Sequence, residues 1–154
     1  MKPKIVSSLD AAIADIPDGA RIMFGGFGGA GFPNNLIQAL SKKGAKNITA
    51  ISNNCGTREG ELGVMFKNKQ VKHVICSFPG PHANYFQEQF SKGEVTCELV
   101  PQGILCERMR TAAAGLLGFI LPLAWAQKSL SARKNAFWTE SAASWNRRFT
   151  RTTR

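Results

Sequence analysis

The stretch RIMFGGFGGAGFPNNLI, residues 21–37, joins a short apolar run to a helix-like run through a loop with five glycines. The apolar residues 22–24 predict a buried strand, and Leu36, Ile37 and Leu40 have the spacing of an amphipathic helix. A loop that lacks Cβ atoms lets its backbone come very close to a ligand, because no side chain stands between them. The stretch therefore predicts a strand, a binding loop and a helix in direct succession.

Strand-like and helix-like segments alternate over the first 115 residues. The predicted strands are 21–24, 47–52, 70–78 and 94–100, and the predicted helices begin after Ser7 or Ser8, at Pro33, at 83 and at 105. Gly44 is expected to end the second helix, as glycine commonly does. Such alternation predicts an α/β fold with an open, mostly parallel sheet and helices on both faces.

The composition indicates a folded protein without a membrane span or a metal centre. The chain has 154 residues, of which 44% are hydrophobic, and its longest apolar run, 116–126, has 11 residues and a proline. A membrane-spanning helix needs about 20 apolar residues. The start carries no secretory pattern, and the four cysteines form no CxxC pair or ligand cluster with the two histidines. We expect a cytoplasmic protein with reduced thiols.

The net charge of +10 is unevenly distributed along the chain. Residues 1–118 hold 13 basic and 9 acidic residues, whereas residues 119–154 hold 7 basic and 1 acidic. A strongly basic balance ordinarily suggests nucleic acid or an anionic surface as partner. Because the excess is concentrated after residue 118, the first 118 residues do not predict such a partner.

The glycine loop has three possible interpretations. Residues 26–31 match the GxGxxG pattern of dinucleotide-binding folds, but no acidic residue ends the second strand, which closes on Asn53-Asn54. A second interpretation is that the glycines only permit tight packing between a strand and a helix. The third comes from a longer pattern, which runs from Asp18-Gly19 through Gly25-Gly26-Phe27 and Gly31 to Pro33.

This longer pattern resembles the signature of family I coenzyme A transferases, in particular the A (alpha) subunit of 3-oxoacid CoA-transferases. The resemblance continues through ISNNCG (51–56), CSFPG (76–80) and LVPQGILCERMR (99–110), and it covers about residues 1–118. It implies a fold of the CoA-transferase/NagB-like type that is incomplete at the C-terminus. It also implies coenzyme A as a substrate rather than a permanently bound cofactor.

The resemblance assigns candidate site residues in two groups. The loop along the coenzyme A path corresponds to Gly25, Gly26, Phe27, Gly28, Gly29, Ala30 and Gly31. The loop's backbone N–H groups and the helix N-terminus that follows would suit an oxyanion or a phosphate. The residues that position the substrate correspond to Asn53, Asn54, Gln102 and Glu107. Without the resemblance, Asn53-Asn54 would be interpreted as a turn, and Glu107 with Arg108 as a solvated helix face.

The reaction implied by the resemblance moves coenzyme A from an acyl-CoA, such as succinyl-CoA, to a 3-oxoacid, such as acetoacetate. It passes through a glutamyl-CoA thioester on the partner B (beta) subunit, so that the active enzyme is a hetero-oligomer. None of the ten acidic residues of this chain lies in the partner's Ser-Glu-Asn-Gly-type motif, and no catalytic residue is assigned here. The alternatives are a truncated CoA-binding subunit without turnover and a subunit of a 3-oxoadipate CoA-transferase.

The segment 119–154 departs from the family pattern. Family members continue GGFYTPVGVGT, where this chain reads GLLGFILPLAWAQ (115–127), and all three tryptophans lie after residue 118. Reading each tryptophan codon from its last base gives glycine, aspartate and glutamate, at spacings of 13 and 7 residues that the family shares. We expect a one-base shift near residues 115–118 and an aberrant, poorly ordered tail; a genuine basic tail for lipid or nucleic acid is the alternative.

Overall fold

The computed structural model describes residues 5–57 and 59–119, and the chain divides into two compact units, Met1–Gln102 and Gly103–Arg154. The first unit contains a four-stranded parallel sheet in the order β1-β2-β3-β4. Its strands are β1 (Arg21–Met23), β2 (Ile48–Ser52), β3 (Val71–Cys76) and β4 (Thr96–Leu99). The helices are α1 (Leu9–Ile13), α2 (Asn34–Lys43), α3 (Gly63–Lys67), α4 (Asn84–Ser91) and α5 (Gln102–Ala113).

The predicted α/β class and the parallel sheet are confirmed. Because the strands follow chain order, right-handed crossovers place α2, α3 and α4 on the same face. Contacts of α1 with α2, of α2 with α3 and of α3 with α4 agree with this arrangement. Within Met1–Gln102 the three crossover helices α2, α3 and α4 therefore share one face of the sheet.

The hydrophobic core lies between the sheet and these helices. Ile48, Ala50 and Val74 contribute from the strands, and each is completely buried. Two of the three apolar residues predicted for α2 join them, since Ile37 and Leu40 are buried while Leu36 remains 37% exposed. Each buried aliphatic side chain of this size contributes about 1.5–3 kcal/mol, so this layer fixes the sheet that carries the site.

The helix ends agree with the sequence signals. The Ser8 hydroxyl caps α1 by accepting a hydrogen bond from Ala11 N at 3.1 Å. Gly44 ends α2 with a φ of 78°. Its N–H donates to the carbonyl oxygens of Leu40 and Ser41, which would otherwise lack partners at the helix end.

One helix was not predicted. Residues Gly63–Lys67 form the five-residue α3, in a segment that carries no helical period long enough to recognise. Met65 and Phe66 of this helix are completely buried, and Phe66 makes an edge-to-face contact with Phe86 at 5.5 Å between ring centroids. Tertiary packing rather than local pattern therefore determines α3.

The last helix, α5, begins at Gln102, three residues earlier than predicted. Glu107 and Arg110 form an ion pair along it at 2.8 Å, and the Thr111 hydroxyl donates to the Glu107 carbonyl at 2.7 Å. Gly115, with a φ of 71°, ends this segment. No helix in the described ranges is long and apolar enough to cross a membrane. The predicted tail, apart from Phe119, falls outside the described residues.

Candidate functional site

The candidate site lies at the carboxyl edge of the sheet. The glycine loop follows β1, and Asn53-Asn54 follows the neighbouring strand β2. Phe24 N donates to Ile51 O at 2.8 Å, so the two strands stay paired up to the point where the loops leave the sheet. Open parallel sheets bind ligands outside the carboxyl ends of their strands, which makes this edge the expected position for a site.

The glycine loop forms a tight hairpin. Phe27 N donates to Ala30 O at 2.9 Å, and Ala30 N donates to Phe27 O at 3.0 Å. Gly28 and Gly29 form the exposed tip, and in the described part of the chain their N–H groups have no hydrogen-bond partner. The tip can therefore donate two backbone hydrogen bonds to a ligand, while Phe27 and Ala30 use theirs internally.

The loop is held in place by Gly26 and Phe32. Gly26 has a φ of 124°, and a Cβ on it would lie 2.4 Å from the Phe32 ring, which is buried. By contrast, a Cβ on Gly28, at a φ of 65°, would meet nothing within 4 Å. Gly26 is thus required for packing, whereas the space in front of Gly28 is open.

Three amide side chains predicted from the sequence are linked at this edge. Asn53 Nδ2 donates to Gln102 Oε1 at 2.9 Å, and Asn54 Nδ2 donates to Asn53 Oδ1 at 3.3 Å. Asn54 Oδ1 in turn accepts from Gly56 N at 2.8 Å. The network brings together residues that are 49 positions apart in sequence and holds their amide groups in fixed orientations.

Ser77 belongs to the same network, although the sequence pattern did not single it out. Its hydroxyl accepts from Asn53 Nδ2 at 2.9 Å and donates to Asn53 O at 3.0 Å. The backbone N–H groups of Ser77 and Phe78 also donate to Asn53 O, each at 3.1 Å. The sequence signal for Ser77 was a polar residue directly after β3, which neighbours β2. It was missed because the predicted strand, 70–78, includes Ser77.

Exposed apolar side chains flank the amide network. Phe27 on the hairpin is 76% exposed, Phe78 after β3 is 61% exposed and Leu99 at the end of β4 is 63% exposed. Large apolar residues grouped at one edge of a sheet commonly mark a ligand or partner surface. The edge therefore combines polar groups that orient a ligand with apolar groups that can cover it.

Glu107, the remaining predicted site residue, lies in the second unit. Its carboxylate pairs with Arg110, and this pair raises the pKa of the Arg110 guanidinium through a side-chain hydrogen bond. The nearby Arg108 also has interactions of its own. A solvated, ion-bearing helix face was one of the two interpretations of Glu107. The ion pair with Arg110 is formed between two residues of α5.

The thiols near the site are not poised as nucleophiles. A hydrogen bond with Cys76 raises the pKa of the Cys55 thiol, and burial raises the pKa of Cys97 to about 12. A hydrogen bond from Cys55 lowers the pKa of Cys76, whose side chain is completely buried. The described residues contain no group of three or more His, Cys, Asp or Glu side chains that could hold a metal ion.

The fold and the edge together define a parallel α/β protein whose oriented amides and exposed backbone N–H groups can bind a carbonyl or an oxyanion. This chain belongs to the coenzyme A transferase family, because the sequence model described as Coenzyme A transferase matches residues 6–134.

Two curated relatives support this membership, and both are A subunits by name. The first belongs to a probable succinyl-CoA:3-ketoacid coenzyme A transferase of Bacillus subtilis strain 168; it is 44% identical over 116 residues, which cover 75% of this chain and 48% of that protein. The second belongs to a 3-oxoadipate CoA-transferase of Pseudomonas putida. It is 42% identical over 120 residues, which cover 77% of this chain and 52% of that protein. The chain thus spans about half the length of the curated relatives it matches.

A solved structure shows the same fold. An acyl-CoA transferase from Escherichia coli O157:H7, in a thioester complex with CoA, superposes with a TM-score of 0.63 at 25% identity. The match covers 73% of this chain and 23% of that one. The expected family and fold class are therefore confirmed.

Proposed function

We propose that this chain is the A-type member of a two-subunit CoA-transferase that moves coenzyme A from an acyl-CoA, such as succinyl-CoA, to a 3-oxoacid, such as acetoacetate. The observation that carries the proposal is the amide network of Asn53, Asn54 and Gln102 beside an exposed glycine hairpin. The names of both curated relatives, each an A subunit, support it.

The hairpin binds the thioester end of coenzyme A. The N–H groups of Gly28 and Gly29 donate to the thioester carbonyl oxygen, whose negative charge grows when a nucleophile attacks. Residues Gly25–Gly31 have little side-chain bulk except for Phe27, so the ligand can lie directly along the main chain. The hairpin therefore binds the transition state more strongly than the ground state.

The amide network orients the acyl group and the acceptor acid. Amide N–H groups at this edge donate to carbonyl or carboxylate oxygens, and Asn53 is held by Ser77 so that its orientation is fixed before substrate arrives. Phe78 and Leu99 exclude water from the apolar part of the acyl chain. We include Glu107 as a positioning residue on the strength of the family pattern alone.

The nucleophile comes from the partner B subunit. Within the described range, the carboxylates of Glu59 and Glu88 are engaged by Lys67 and Lys92, whose hydrogen bonds lower the pKa of each acid. A glutamate of the partner attacks the acyl-CoA and displaces the CoA thiolate, which then attacks the glutamyl carbonyl and releases the donor acid as a carboxylate. The incoming acid takes the coenzyme from this glutamyl-CoA thioester by the reverse steps and frees the glutamate. The active enzyme is a hetero-oligomer, and we place it in the cytoplasm because the described cysteines are free thiols.

Mass spectrometry after mixing the chain with succinyl-CoA and a B subunit tests this proposal. We expect a CoA adduct on one glutamate of the B subunit, no adduct on this chain, and CoA exchange once acetoacetate is added. An adduct on this chain, or exchange without the B subunit, would contradict the proposal.

A 3-oxoadipate acceptor is the second candidate. The Pseudomonas putida relative, a 3-oxoadipate CoA-transferase subunit by name, is 42% identical, and the Bacillus subtilis relative, whose name gives a 3-ketoacid, is 44% identical. Turnover with each acid in parallel would distinguish them. The third candidate, a CoA-binding subunit without turnover, predicts CoA binding without exchange.

We also propose that residues 1–118 form the N-terminal part of the alpha-subunit domain and that 119–154 are read out of frame. The tryptophan spacing and the basic charge after residue 118 support this proposal. Resequencing the DNA across codons 112–120 tests it. An additional or missing base there is the expected result, and an uninterrupted frame would support a genuine tail.

A further inference from the structure

Glu61 carries two unfavourable features in the loop between β2 and α3. Its φ is 52°, in the left-handed region that non-glycine residues seldom adopt. Its Oε2 atom is buried, and no residue in the described part of the chain hydrogen-bonds to it. Each feature raises the free energy of the folded chain. A residue that combines both is a candidate for a role beyond the packing of the described residues.

The Glu61 carboxylate lies beside the glycine hairpin. Its Oε1 atom is 3.2 Å from the position that a Cβ on Gly29 would occupy. Gly29 is at the exposed tip, next to the open space in front of Gly28. A ligand that lies along the hairpin would therefore pass beside the Oε1 atom of this carboxylate, while the buried Oε2 atom has no donor in the described part of the chain.

The charge of Glu61 selects the part of the ligand that it faces. A carboxylate repels phosphates and the oxyanion that develops on a thioester, so neither can be its partner. Between these two ends, coenzyme A has a neutral pantetheine arm with two amide N–H groups. An amide N–H can donate a hydrogen bond to the Oε1 atom without adding a charge to a partly buried site.

We propose that Glu61 accepts a hydrogen bond from an amide N–H of the pantetheine arm of coenzyme A and so fixes the arm along the hairpin. This inference rests on the proposed function, because it takes the hairpin as the binding site of the coenzyme. It adds a binding residue outside the glycine loop and the amide network. In this role, Glu61 favours acyl carriers that have an amide N–H where the arm passes the hairpin.

Glu59 provides a matched control in the same loop. Its carboxylate pairs with Lys67 and also accepts a hydrogen bond from the Tyr85 hydroxyl at 3.3 Å. The Glu59 side chain is 64% exposed. Removing its carboxylate therefore changes the charge of the loop by the same amount as removing that of Glu61, without touching the hairpin.

Calorimetric titration of the 154-residue chain with coenzyme A and with 3′-phosphoadenosine 5′-diphosphate, which lacks the pantetheine arm, tests the inference. Glu61→Met should weaken coenzyme A binding about tenfold, and Glu61→Gln, which keeps an acceptor oxygen, by less than about threefold. Glu59→Met should leave coenzyme A binding unchanged. Binding of the nucleotide should be the same in all variants.

Unchanged coenzyme A affinity in Glu61→Met, or an equal loss for coenzyme A and the nucleotide, would overturn the inference and leave the proposed function standing. Failure of the parent chain to bind coenzyme A at all would contradict both. Thermal unfolding gives an independent readout. Glu61→Met should unfold at the same or a higher temperature than the parent, because it removes a buried acceptor without a partner in the described residues. A clear drop would instead make Glu61 a structural residue and overturn the inference.

Discussion

Ser77 and Asn53 are joined by a reciprocal pair of hydrogen bonds, in which one hydroxyl donates to the Asn53 carbonyl at 3.0 Å and accepts from the Asn53 amide at 2.9 Å. The two residues leave neighbouring strands at the same edge of the sheet. The pairing fixes both the backbone and the side chain of Asn53. Ser77 thus acts as a positioning residue for the amide network.

Replacing Ser77 by alanine should lower the free energy of unfolding by about 1–2 kcal/mol, because two hydrogen bonds to partly buried groups are lost together. Urea unfolding of the purified chain measures this change. Ser91→Ala is the control, since the Ser91 hydroxyl bonds to the Glu88 carbonyl on an exposed helix face. Equal losses of unfolding free energy in the two variants would show that the pairing of Ser77 with Asn53 adds nothing to stability.

Gly26 and Gly28 should respond differently to the same substitution. Gly26→Ala places a Cβ 2.4 Å from the Phe32 ring and should destabilise the chain by about 3 kcal/mol or more, or prevent folding. Gly28→Ala meets nothing within 4 Å and should lose only about 1 kcal/mol from its positive φ. Comparable losses, measured by denaturant unfolding, would contradict the described hairpin.

Lys43 joins α2 to the end of α1 through its ammonium group. Its ammonium group donates to the carbonyl oxygens of Ile13, Ala14 and Ile16 at 2.7–2.8 Å, where α1 ends. Lys43→Met should lower stability by about 1–2 kcal/mol, because these carbonyl groups lose a charged donor. Lys42→Met, at the exposed neighbouring position, should change it little.

A contact between Lys43 and the phosphates of coenzyme A is the alternative role for this residue. Weaker coenzyme A binding in Lys43→Met with unchanged stability would favour that interpretation and contradict the structural one. Unfolding and calorimetry on the same two variants distinguish these outcomes.

The stability of the chain should fall as the pH drops below about 6.5, partly through His73. Burial lowers the pKa of His73 from its ordinary value of 6.5, Arg21 lowers it further, and Glu98 opposes them. The unfolded chain therefore binds a proton at a higher pH than the folded chain, so this contribution is present above pH 6.5 and is lost as the pH falls through the folded pKa.

Unfolding measured between about pH 7.5 and 5.5 checks this expectation, because exposed carboxylates titrate mostly at lower pH. His73→Gln should flatten the dependence, while His82→Gln, on the loop after β3, should keep the slope of the parent. A slope that is unchanged in His73→Gln would contradict the role of His73.

The order of strands and helices could be predicted because apolar runs and punctuating residues mark it locally. Ser8 and Gly44 act at the positions that the sequence indicated, since capping depends on neighbouring residues. Helix α3 could not be predicted, because it is shorter than two turns and depends on the burial of Phe66. Only the tertiary packing of this segment reveals it.

Only part of the site could be predicted from the sequence, and the difference between the residues that were predicted and those that were missed has a physical basis. The loop and Asn53 follow strands that are neighbours in the sheet, and the family pattern indicated both. Ser77 was identified by its hydrogen bond to Asn53. Glu61 was identified because its loop brings the carboxylate next to the hairpin. Glu61 leaves no local pattern in the sequence, and Ser77 leaves only a polar residue after a strand, because both relations depend on how separate segments approach one another.

The common face of α2, α3 and α4 could have been derived only after the strand order was known. Four parallel strands in chain order and right-handed crossovers require it, but a sequence does not give strand order. The same alternation of elements is compatible with a sheet that is covered on both faces.

The most direct test of the central claim compares coenzyme A binding in Gly28→Val and Gly19→Val by calorimetry. Both glycines have a positive φ, 65° and 74°, and a Cβ on either would meet nothing within 4 Å, so the two variants should lose similar stability. Only Gly28 lies on the hairpin. If the hairpin binds coenzyme A, Gly28→Val weakens binding by about tenfold or more and Gly19→Val leaves it within about twofold of the parent. Equal affinities in the two variants would contradict the account.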